Sequence, residues 1–391
     1  MTSMKRLHRV VVFLLAVAGS AWVFWNYHNR GHKFYDLRIY MKAMDWWAGG
    51  NDLYSWFQPD FLQGKLFFTY PPFSGVFLLP FSYLPLGLVE VLFVLGTIAA
   101  VIVTTWWIVR ALGLPTWITA PAVPMILAME PLRETIALGQ LNLLLVFLIL
   151  LDLLVLRPKG SKWAGIGIGL ATAIKITPGI FIVYLLITKQ WRAAFTAMGT
   201  AAGATVLMFA VAPRASWDFW TGALWDTARV GRTDITGNQS LLALLHRLAI
   251  PLEPNRLIWL ALGLAIVAFG LWRAAQAHRE GNEVVAAALT GLCGGVISPI
   301  TWAHHLYWIA PALLAVLAAV WGRWSPLWFL LIGGYFVSLF GVVSAIDWDF
   351  AIVPKATDTP GSFVGRNLLL LLSLLLIAFT PTRHYPTRTV V

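Results

Sequence analysis

Charge is the scarcest property of this 391-residue chain. Only 12% of its residues are Asp, Glu, Lys or Arg, whereas 59% are hydrophobic and 21 are tryptophan. Soluble globular proteins carry about twice that fraction of charge. The deficit therefore argues against a soluble domain and indicates a membrane protein.

Cysteine and the familiar catalytic motifs are scarce as well. Cys293 is the single cysteine, so an intramolecular disulfide is excluded; it lies in an apolar run. The chain has no G-x-x-x-x-G-K-[ST], no H-E-x-x-H and no G-x-S-x-G, which would indicate nucleotide, zinc or serine-hydrolase chemistry. Its one D-x-D pair, Asp347 and Asp349, is best interpreted as solvated loop acids, with a metal site as the weaker alternative. Nothing in the sequence demands a metal or another cofactor.

Long hydrophobic runs dominate what is present. A helix needs about 20 consecutive apolar residues to cross a bilayer. We identify twelve candidate segments: 10–27, 84–109, 115–129, 141–156, 163–174, 177–188, 193–212, 256–272, 284–299, 305–321, 326–345 and 363–380. The chain is thus predicted to be an all-α polytopic membrane protein, with residues 1–391 forming a single domain.

The distribution of charge predicts the orientation. With the basic N-terminus inside, the inner loops carry fourteen Lys and Arg against two acids, Glu280 and Glu283. This asymmetry follows the positive-inside rule. It predicts a protein of the plasma membrane with both termini in the cytoplasm. The net charge of +11 then reflects topology and anionic lipids, without a nucleic-acid-binding surface. The longest polar segments, 28–83, 213–255 and 346–362, are expected outside, where they cap an active-site cavity.

Two pairs of segments are short for a bilayer: 115–129 with 141–156, and 163–174 with 177–188. The polar tips between the members of each pair would lie below the membrane surface. Irregular backbone at that depth is tolerated only beside protein or a water-filled cavity. We therefore predict a cavity that opens to the outer side and is lined by both tips.

Asp36 is the first candidate for chemistry. In a helix, Asp36 and Tyr40 share one stripe, whereas Arg38, Lys42 and Asp45 share another. The Asp36 carboxylate then has no cation within its own helix. It is either an N-cap of this helix or a general base that faces the cavity.

The two tips supply further candidates. The first contains Arg133, Gln140 and Asn142, and polar groups at membrane depth indicate function by default, with a solvated ion-pair cluster as the alternative. The second contains Lys175, shortly before the helix-breaking Pro178. Lys175 either snorkels to the interface or holds a phosphate. We favour the phosphate, because nearly every other lysine is excluded from the core.

Two later clusters complete the set. The segment G-N-Q-S contains Asn238 and Gln239, which either bind sugar hydroxyls or cap the next helix. Trp302, His304 and His305 lie at the predicted outer start of a membrane helix. Adjacent histidines point about 100° apart and do not naturally chelate one metal, but a helix N-terminus and imidazole both suit a phosphate. The alternative is interfacial His–Trp packing.

Together these motifs resemble glycosyltransferase family 87. They run in the family's order over about residues 30–310. They are Asp36-x-x-x-Tyr40, Phe68-Thr69-Tyr70-Pro71-Pro72, Gly139-Gln140-x-Asn142, Lys175-x-x-Pro178, Gly237-Asn238-Gln239-Ser240 and Ser298-Pro299-x-x-Trp302-x-His304-His305. Each motif alone is weak, but six in order are specific. The resemblance implies a GT-C fold of about twelve transmembrane helices, with interfacial helices in the outer loops.

The resemblance also implies a reaction. The donor would be polyprenyl phosphate mannose, and the acceptor a phosphatidylinositol mannoside, lipomannan or lipoarabinomannan that receives an α-1,2-linked mannose without a metal. Asp36 would be the general base. The donor phosphate would be bound by Lys175, His304, His305 and Arg133. The sugar or acceptor would contact Tyr40, Tyr70, Gln140, Asn142, Asn238, Gln239 and Trp302.

Two alternatives stay open from the sequence. A transporter or flippase of lipid-linked sugars would show internal repeats in its two halves, and we find no convincing repeat. A related enzyme could use another polyprenyl-phosphate sugar, such as arabinose.

Overall fold

The computed structural model describes residues 2–27, 33–61, 63–341 and 359–383 and is predominantly helical. The helices are α1 (Thr2–Tyr27), α2 (Tyr35–Ala48), α3 (Pro72–Ser82), α4 (Leu86–Ala111), α5 (Thr119–Ala128), α6 (Glu130–Leu138), α7 (Asn142–Leu150), α8 (Ile166–Ile174), α9 (Ile180–Ile187), α10 (Trp191–Val211), α11 (Pro213–Asp218), α12 (Leu241–Ala249), α13 (Arg256–Arg279), α14 (Glu283–Ile297), α15 (Ile309–Val320), α16 (Leu327–Phe340), α17 (Pro360–Arg366) and α18 (Leu368–Phe379). Strands β1 (Phe57–Asp60) and β2 (Gly64–Phe67) form an antiparallel hairpin, which the all-α prediction did not include.

Four helices of the described residues are long and apolar enough to cross a membrane. They are the Arg6–Asn26 part of α1, α4, α10 and α13. The pair α17 and α18, bent by 71°, makes a fifth if it forms one span. The structure thus has the character of a polytopic membrane protein, while the number of twelve spans stays a prediction.

The outer surfaces of the long helices are apolar. On α4, for example, Leu88, Val91, Leu95 and Ile102 are all exposed. Apolar patches of this extent are costly in water and are typical of surfaces that contact lipid or protein. These faces therefore suit contact with lipid chains.

Helix α14 forms the centre of the molecule and is buried along almost its whole length. It packs against α13, α15 and α18. Small residues permit this close approach, as in other membrane helix bundles. A Cβ at Gly291, for instance, would lie 2.2 Å from the ring of Trp308. The C-terminal end of α14 leads directly into the segment with the two histidines.

The predicted short pairs are confirmed as short helices, and their connections have distinct structures. The first pair, α5 and α7, is joined by α6, which ends at Gly139 in the left-handed conformation (φ 71°). In the second pair, α8 ends at the extended Lys175, and one 3-10 turn, Thr177–Gly179, precedes α9. Gln140 and Lys175 therefore both lie at helix ends, where a side chain is not confined to a helix face.

The segments that were predicted to lie outside are folded, and two of their helices pack against the polar tips: α2 contacts α6, and α3 contacts α8. Helices α2 and α3 and the hairpin come from 28–83, and α11 and α12 come from 213–255. Most of the third segment, including Asp347 and Asp349, lies outside the described residues. Both interpretations of that acidic pair stay untested.

Candidate functional site

The start of α2 is fixed against the end of α6. Phe34 adopts a left-handed conformation (φ 57°), and its N–H donates to the carbonyl oxygen of Ala137 at 2.8 Å. A Cβ at Gly139 would lie only 2.6 Å from the Cβ of Leu37. Because glycine alone fits this contact and its positive φ, the two elements meet closely. This contact sets Asp36 beside Gln140.

Asp36 lies in the first turn of α2, and the residue at the N-cap is Phe34. The capping interpretation of Asp36 is therefore wrong. Its Oδ2 accepts a hydrogen bond from Nε2 of Gln140. Arg38 pairs across to Glu90 of α4 at 3.1 Å, so its partner lies outside its own helix.

A chain of hydroxyl groups continues from Gln140. The Tyr70 hydroxyl donates to Gln140 Oε1 at 3.0 Å and lies 2.9 Å from the Tyr40 hydroxyl. Tyr54 donates to the Tyr70 carbonyl at 2.8 Å and holds this segment in place. Burial raises the pKa of both Tyr40 and Tyr70 above its ordinary value. Both hydroxyls therefore keep their protons and act as neutral hydrogen-bonding groups.

Lys175 is the centre of a second cluster. Its Nζ donates to Asn142 Oδ1 at 3.2 Å and lies 2.9 Å from His305 Nε2. The same ammonium lies 5.2 Å from the centre of the Tyr70 ring. A cation at this distance over an aromatic face is attracted to it. Tyr70 thus contacts both clusters, through its hydroxyl on one side and its ring on the other.

The charge state of the second cluster is set by burial. Burial lowers the pKa of Lys175 to about 7, and the Asp36 carboxylate opposes this shift. Burial, together with Lys175 and His304, lowers the pKa of His305 well below its ordinary value. The backbone N–H of Trp302 donates to Nδ1 of His305 at 3.3 Å, which favours the tautomer with its proton on Nε2. That tautomer pairs with a neutral Lys175 amine, whereas a Lys175 ammonium donates to Nε2 of His305 and requires the imidazole proton on Nδ1.

Both histidines lie on a single 3-10 turn, Ala303–His305, and α15 begins only at Ile309. The prediction that they open a membrane helix is therefore wrong in detail. The carbonyl of His304 accepts from Asn142 Nδ2 at 3.1 Å, and the two imidazole rings meet edge to face, 4.6 Å apart. Asn142 thereby connects Lys175 to the histidine turn.

Asn238 and Gln239 are fully buried and hydrogen-bond within the protein. Asn238 donates to the carbonyls of Thr233 and Pro299 and accepts from the N–H of Thr301 at 2.9 Å. Gln239 donates to two carbonyls, one of them Arg366, and accepts from two N–H groups at the start of α18. In this geometry both amides fasten chain segments together. The predicted contact with sugar has no support from their surroundings.

Trp302 and Arg133 differ in their relation to the two clusters. Trp302 is half-buried against two glycines: a Cβ at Gly237 would lie 3.0 Å from its ring, and one at Gly231 would lie 3.3 Å away. Its backbone orients His305, as described above. Arg133 is buried and donates to the carbonyls of Ala128 and, at 2.7 Å, Leu339. Those bonds connect the ends of α5 and α16.

Glu134 is a carboxyl group of this region that the sequence analysis did not assign. Burial raises its pKa to about 7; Arg133 opposes this shift and the charge of Asp36 adds to it. Glu134 lies in the same polar tip as Gln140, and this position was the one signal in the sequence that it belongs to the site. Its spacing from Arg133 fitted a solvated ion pair equally well. Within the described ranges, no three His, Cys, Asp or Glu side chains converge as a metal site.

The profile of glycosyltransferase family 87 matches residues 68–299. A polyprenol-phosphate-mannose-dependent alpha-(1-2)-phosphatidylinositol mannoside mannosyltransferase of Mycobacterium tuberculosis is 32% identical over 346 residues, which cover 82% of this chain and 78% of that protein. A polyprenol-phosphate-mannose-dependent alpha-(1-2)-phosphatidylinositol pentamannoside mannosyltransferase of Mycolicibacterium smegmatis is 31% identical over 326 residues, or 80% of this chain and 76% of that protein.

A third relative matches a smaller part of the chain. An alpha-(1->3)-arabinofuranosyltransferase of Mycobacterium tuberculosis is 31% identical over 159 residues, which cover 39% of this chain and 35% of that protein. No solved structure matches. The extent of the profile match and the similarity along most of the chain lead to one conclusion: the protein is a member of glycosyltransferase family 87.

Proposed function

We propose that this protein is an inverting mannosyltransferase. It transfers mannose from polyprenyl phosphate mannose to a phosphatidylinositol mannoside, lipomannan or lipoarabinomannan and forms an α-1,2 linkage. The names of the relatives support the donor and the acceptor class. The observation that carries the proposal is the position of Tyr70, whose hydroxyl bonds Gln140, the partner of Asp36, while its ring contacts Lys175. A carboxylate and a cation thereby belong to one site.

Asp36 is the general base in this proposal. Its carboxylate takes the proton of the acceptor hydroxyl as the hydroxyl oxygen forms a bond to the anomeric carbon of mannose. The bond from that carbon to the phosphate oxygen breaks, and its electron pair leaves with the phosphate. Attack from the face opposite the phosphate inverts the configuration, so a β-linked donor gives an α product. The bond from Gln140 fixes the carboxylate in one orientation.

Lys175 stabilises the phosphate that leaves. The emerging negative charge needs a cation in a site that excludes water, where electrostatic stabilisation is strongest. Asn142 and His305 hold the Lys175 side chain at this position. In the protonated form it faces the phosphate as an ammonium. The His304 ring packs edge to face against the His305 ring and forms part of the same cluster.

The remaining predicted residues either contact the sugar or position other groups in this proposal. Tyr40 and Tyr70 offer hydroxyl groups to the sugar. Asn238, Gln239 and Trp302 hold the segment that carries the histidines, and Arg133 joins helix ends. The positioning roles follow the bonds described above.

The fold and its orientation belong to the same proposal. We infer a GT-C arrangement of about twelve membrane crossings, with the shorter apolar helices completing the spans. The excess of basic residues in one set of short loops supports an extracytoplasmic site and cytoplasmic termini. The partners are then lipid-linked, and both reach the site from the membrane.

Purified protein tests the proposal in detergent or vesicles. Radiolabelled polyprenyl phosphate mannose is supplied with a phosphatidylinositol dimannoside, and the product is digested with an α-1,2-specific mannosidase. We expect transfer by the native chain and none by Asp36→Asn. Asp45→Asn, in the same helix but on an exposed face, is the control and should keep full activity.

Two results would contradict the assignment. Normal turnover by Asp36→Asn would exclude the base. Transfer of arabinose but not mannose from a panel of polyprenyl-phosphate sugars would change the donor, which the third relative makes the main alternative.

A further inference from the structure

A basic pocket lies at the opposite end of the bundle from the candidate site. It has a volume of about 430 Å³ and lies between the loop 157–165 and the start of α10. Lys175 precedes α9 and Lys189 follows it, so the helix separates the site from the pocket. Helix α7 begins at Asn142 and is about 13 Å long at the rise of an α-helix, and the π-helix Leu151–Leu156 continues it to Arg157. The pocket is therefore distinct from the groups assigned to catalysis.

The backbone around the pocket is tightly built. Gly165 has φ +109°, and a Cβ there would lie 2.2 Å from the carbonyl oxygen of Ala193. Arg192 Nη2 donates to the carbonyls of Gly160, at 3.0 Å, and Ser161. The loop and the first turn of α10 are thus held together, and the guanidinium is fixed at the rim. The pocket is therefore an open concavity between two segments that are bonded to each other.

Positive charge dominates the pocket. Arg157, Lys189 and Arg192 line it, and the two loops 157–165 and 188–192 contain five basic residues and no acid. Two nearby carboxylates oppose this charge: Glu283 pairs with Arg157 at 2.7 Å, and the buried Asp152 accepts backbone hydrogen bonds from Gly165 and, at 2.7 Å, Ile168.

The N-terminus of α10 adds to the positive electrostatic potential of Lys189 and Arg192. Gln190 occupies its N-cap position without a side-chain capping bond, so the first N–H groups of this 21-residue helix are available to an anion. An anion in the pocket would thus meet cations and backbone donors together.

Two tryptophans place the pocket at the depth of lipid headgroups. Trp163 and Trp191 are both exposed beside it, and Lys162 lies 5.0 Å from the Trp163 ring centre. Exposed tryptophan in a membrane protein concentrates at the boundary between hydrocarbon and water. Basic pockets between membrane helices at this level suit the phosphate of a lipid better than a soluble anion.

We propose that this pocket binds the phosphate headgroup of an anionic glycerophospholipid. Lys189, Arg192 and the N-terminal N–H groups of α10 contact the phosphate oxygens, and the acyl chains extend along the apolar helix surfaces. The site is independent of the proposed mannosyl transfer, since it lies at the other end of α9.

Lys189 allows a sharp test because of its backbone. It adopts φ 59°, a conformation that asparagine tolerates well. Lys189→Asn therefore removes the charge with little strain. Lys159→Asn is the matched control: it removes one charge from the adjacent loop, is exposed, and does not line the pocket.

Phosphatidylglycerol binding to the purified full chain is measured by native mass spectrometry, with phosphatidylcholine as the neutral comparison. We expect phosphatidylglycerol to bind preferentially and Lys189→Asn to weaken it about fivefold. Lys159→Asn should stay within about twofold of the native chain, because an exposed charge outside the pocket is screened. Arg192→Gln is the second variant if Lys189→Asn fails to fold, as judged by its melting temperature.

Three results would overturn the proposal. Equal losses in the two lysine variants would indicate diffuse attraction to the surface. Unchanged binding in both Lys189→Asn and Arg192→Gln would exclude the pocket. Displacement of phosphatidylglycerol by an equal concentration of sn-glycerol 3-phosphate would show that the ligand is a soluble phosphate.

Discussion

The side chain of Gln140 donates from Nε2 to Oδ2 of Asp36, across 104 residues of sequence. This bond joins a helix that follows the first membrane segment to the end of a short helix inside the bundle. It restricts the rotation of the carboxylate. Gln140 also accepts from Tyr70, so its amide is itself fixed in one orientation.

Replacement of Gln140 should lower turnover more than substrate affinity. Gln140→Leu removes the donor that orients Asp36, and positioning losses of this kind cost about 10- to 100-fold in rate. We expect kcat for mannose transfer to fall by that factor while KM for the donor changes little. Gln58→Leu, at a half-buried position of the hairpin outside the site, is the control. A change confined to KM would make Gln140 a sugar contact and contradict the positioning role.

The dependence on pH should follow Lys175. Burial lowers its pKa to about 7, so the ammonium is present below that pH and gives up its proton above it. We expect kcat/KM for the donor to fall by about tenfold per pH unit above neutrality. Lys175→Arg keeps its charge, because a guanidinium titrates only above about 12. The alkaline fall should therefore be absent in that variant, and an identical fall in both proteins would assign it to another group.

Gly139→Ala should detach α2 from α6. The new Cβ would overlap Leu37 and would also occupy a positive φ. We expect a loss of about 3 kcal/mol in the free energy of unfolding, against about 1 kcal/mol for Gly50→Ala. Gly50 has φ 83° but no atom within 4 Å of an added Cβ, so it isolates the cost of the backbone conformation. Equal melting temperatures for the two variants would show that the contact with Leu37 relaxes freely.

Gln239 should behave as a structural residue. Gln239→Leu leaves two carbonyls and two backbone N–H groups without their partner. Such a loss in the interior costs about 2–4 kcal/mol. The melting temperature should fall, with an unchanged donor KM in the folded fraction. A raised KM at an unchanged melting temperature would instead restore the sugar contact that the motif suggested.

The single buried cysteine makes the proposed orientation measurable. Cys293 is fully buried, so a membrane-impermeant maleimide should not label the native chain in intact cells. Phe61→Cys, at a fully exposed position beside the hairpin, should be labelled. Lys159→Cys, in the loop of the basic pocket, should react only after the membrane is opened. The reverse pattern would place the candidate site on the cytoplasmic side.

The sequence was most informative where one residue type is rare. The lysine at 175 and the short segments around it pointed to a polar site within an apolar bundle, and the structure brings Asn142 and His305 to that lysine. The apolar runs predicted both ends of α4 and α10 within about two residues, whereas α13 continues to Arg279, beyond the predicted end at residue 272. The rarity of a residue type and the length of an apolar run can both be counted directly in the sequence.

Contacts between distant segments were beyond prediction. Nothing in the run around Asn238 shows that its amide binds backbone at Thr301. An arginine such as Arg133 is chemically suited to bind a phosphate. The orientation of its side chain, however, depends on the position of the carbonyl groups at the end of α16. A side chain at a helix end can point several ways, and packing of the whole bundle selects one. The hairpin was missed because its four-residue strands are too short to give a periodic signal.

The contact between Lys175 and His305 spans 130 residues, and the histidine turn follows most of the membrane helices in the chain. During synthesis, Asp36, Gln140 and Lys175 leave the ribosome well before the turn that completes their cluster. A nascent chain already inserted in the membrane therefore lacks the contact between Lys175 and His305. Activity should appear abruptly as chain length increases past this turn, since every shorter product lacks the contact that positions the lysine.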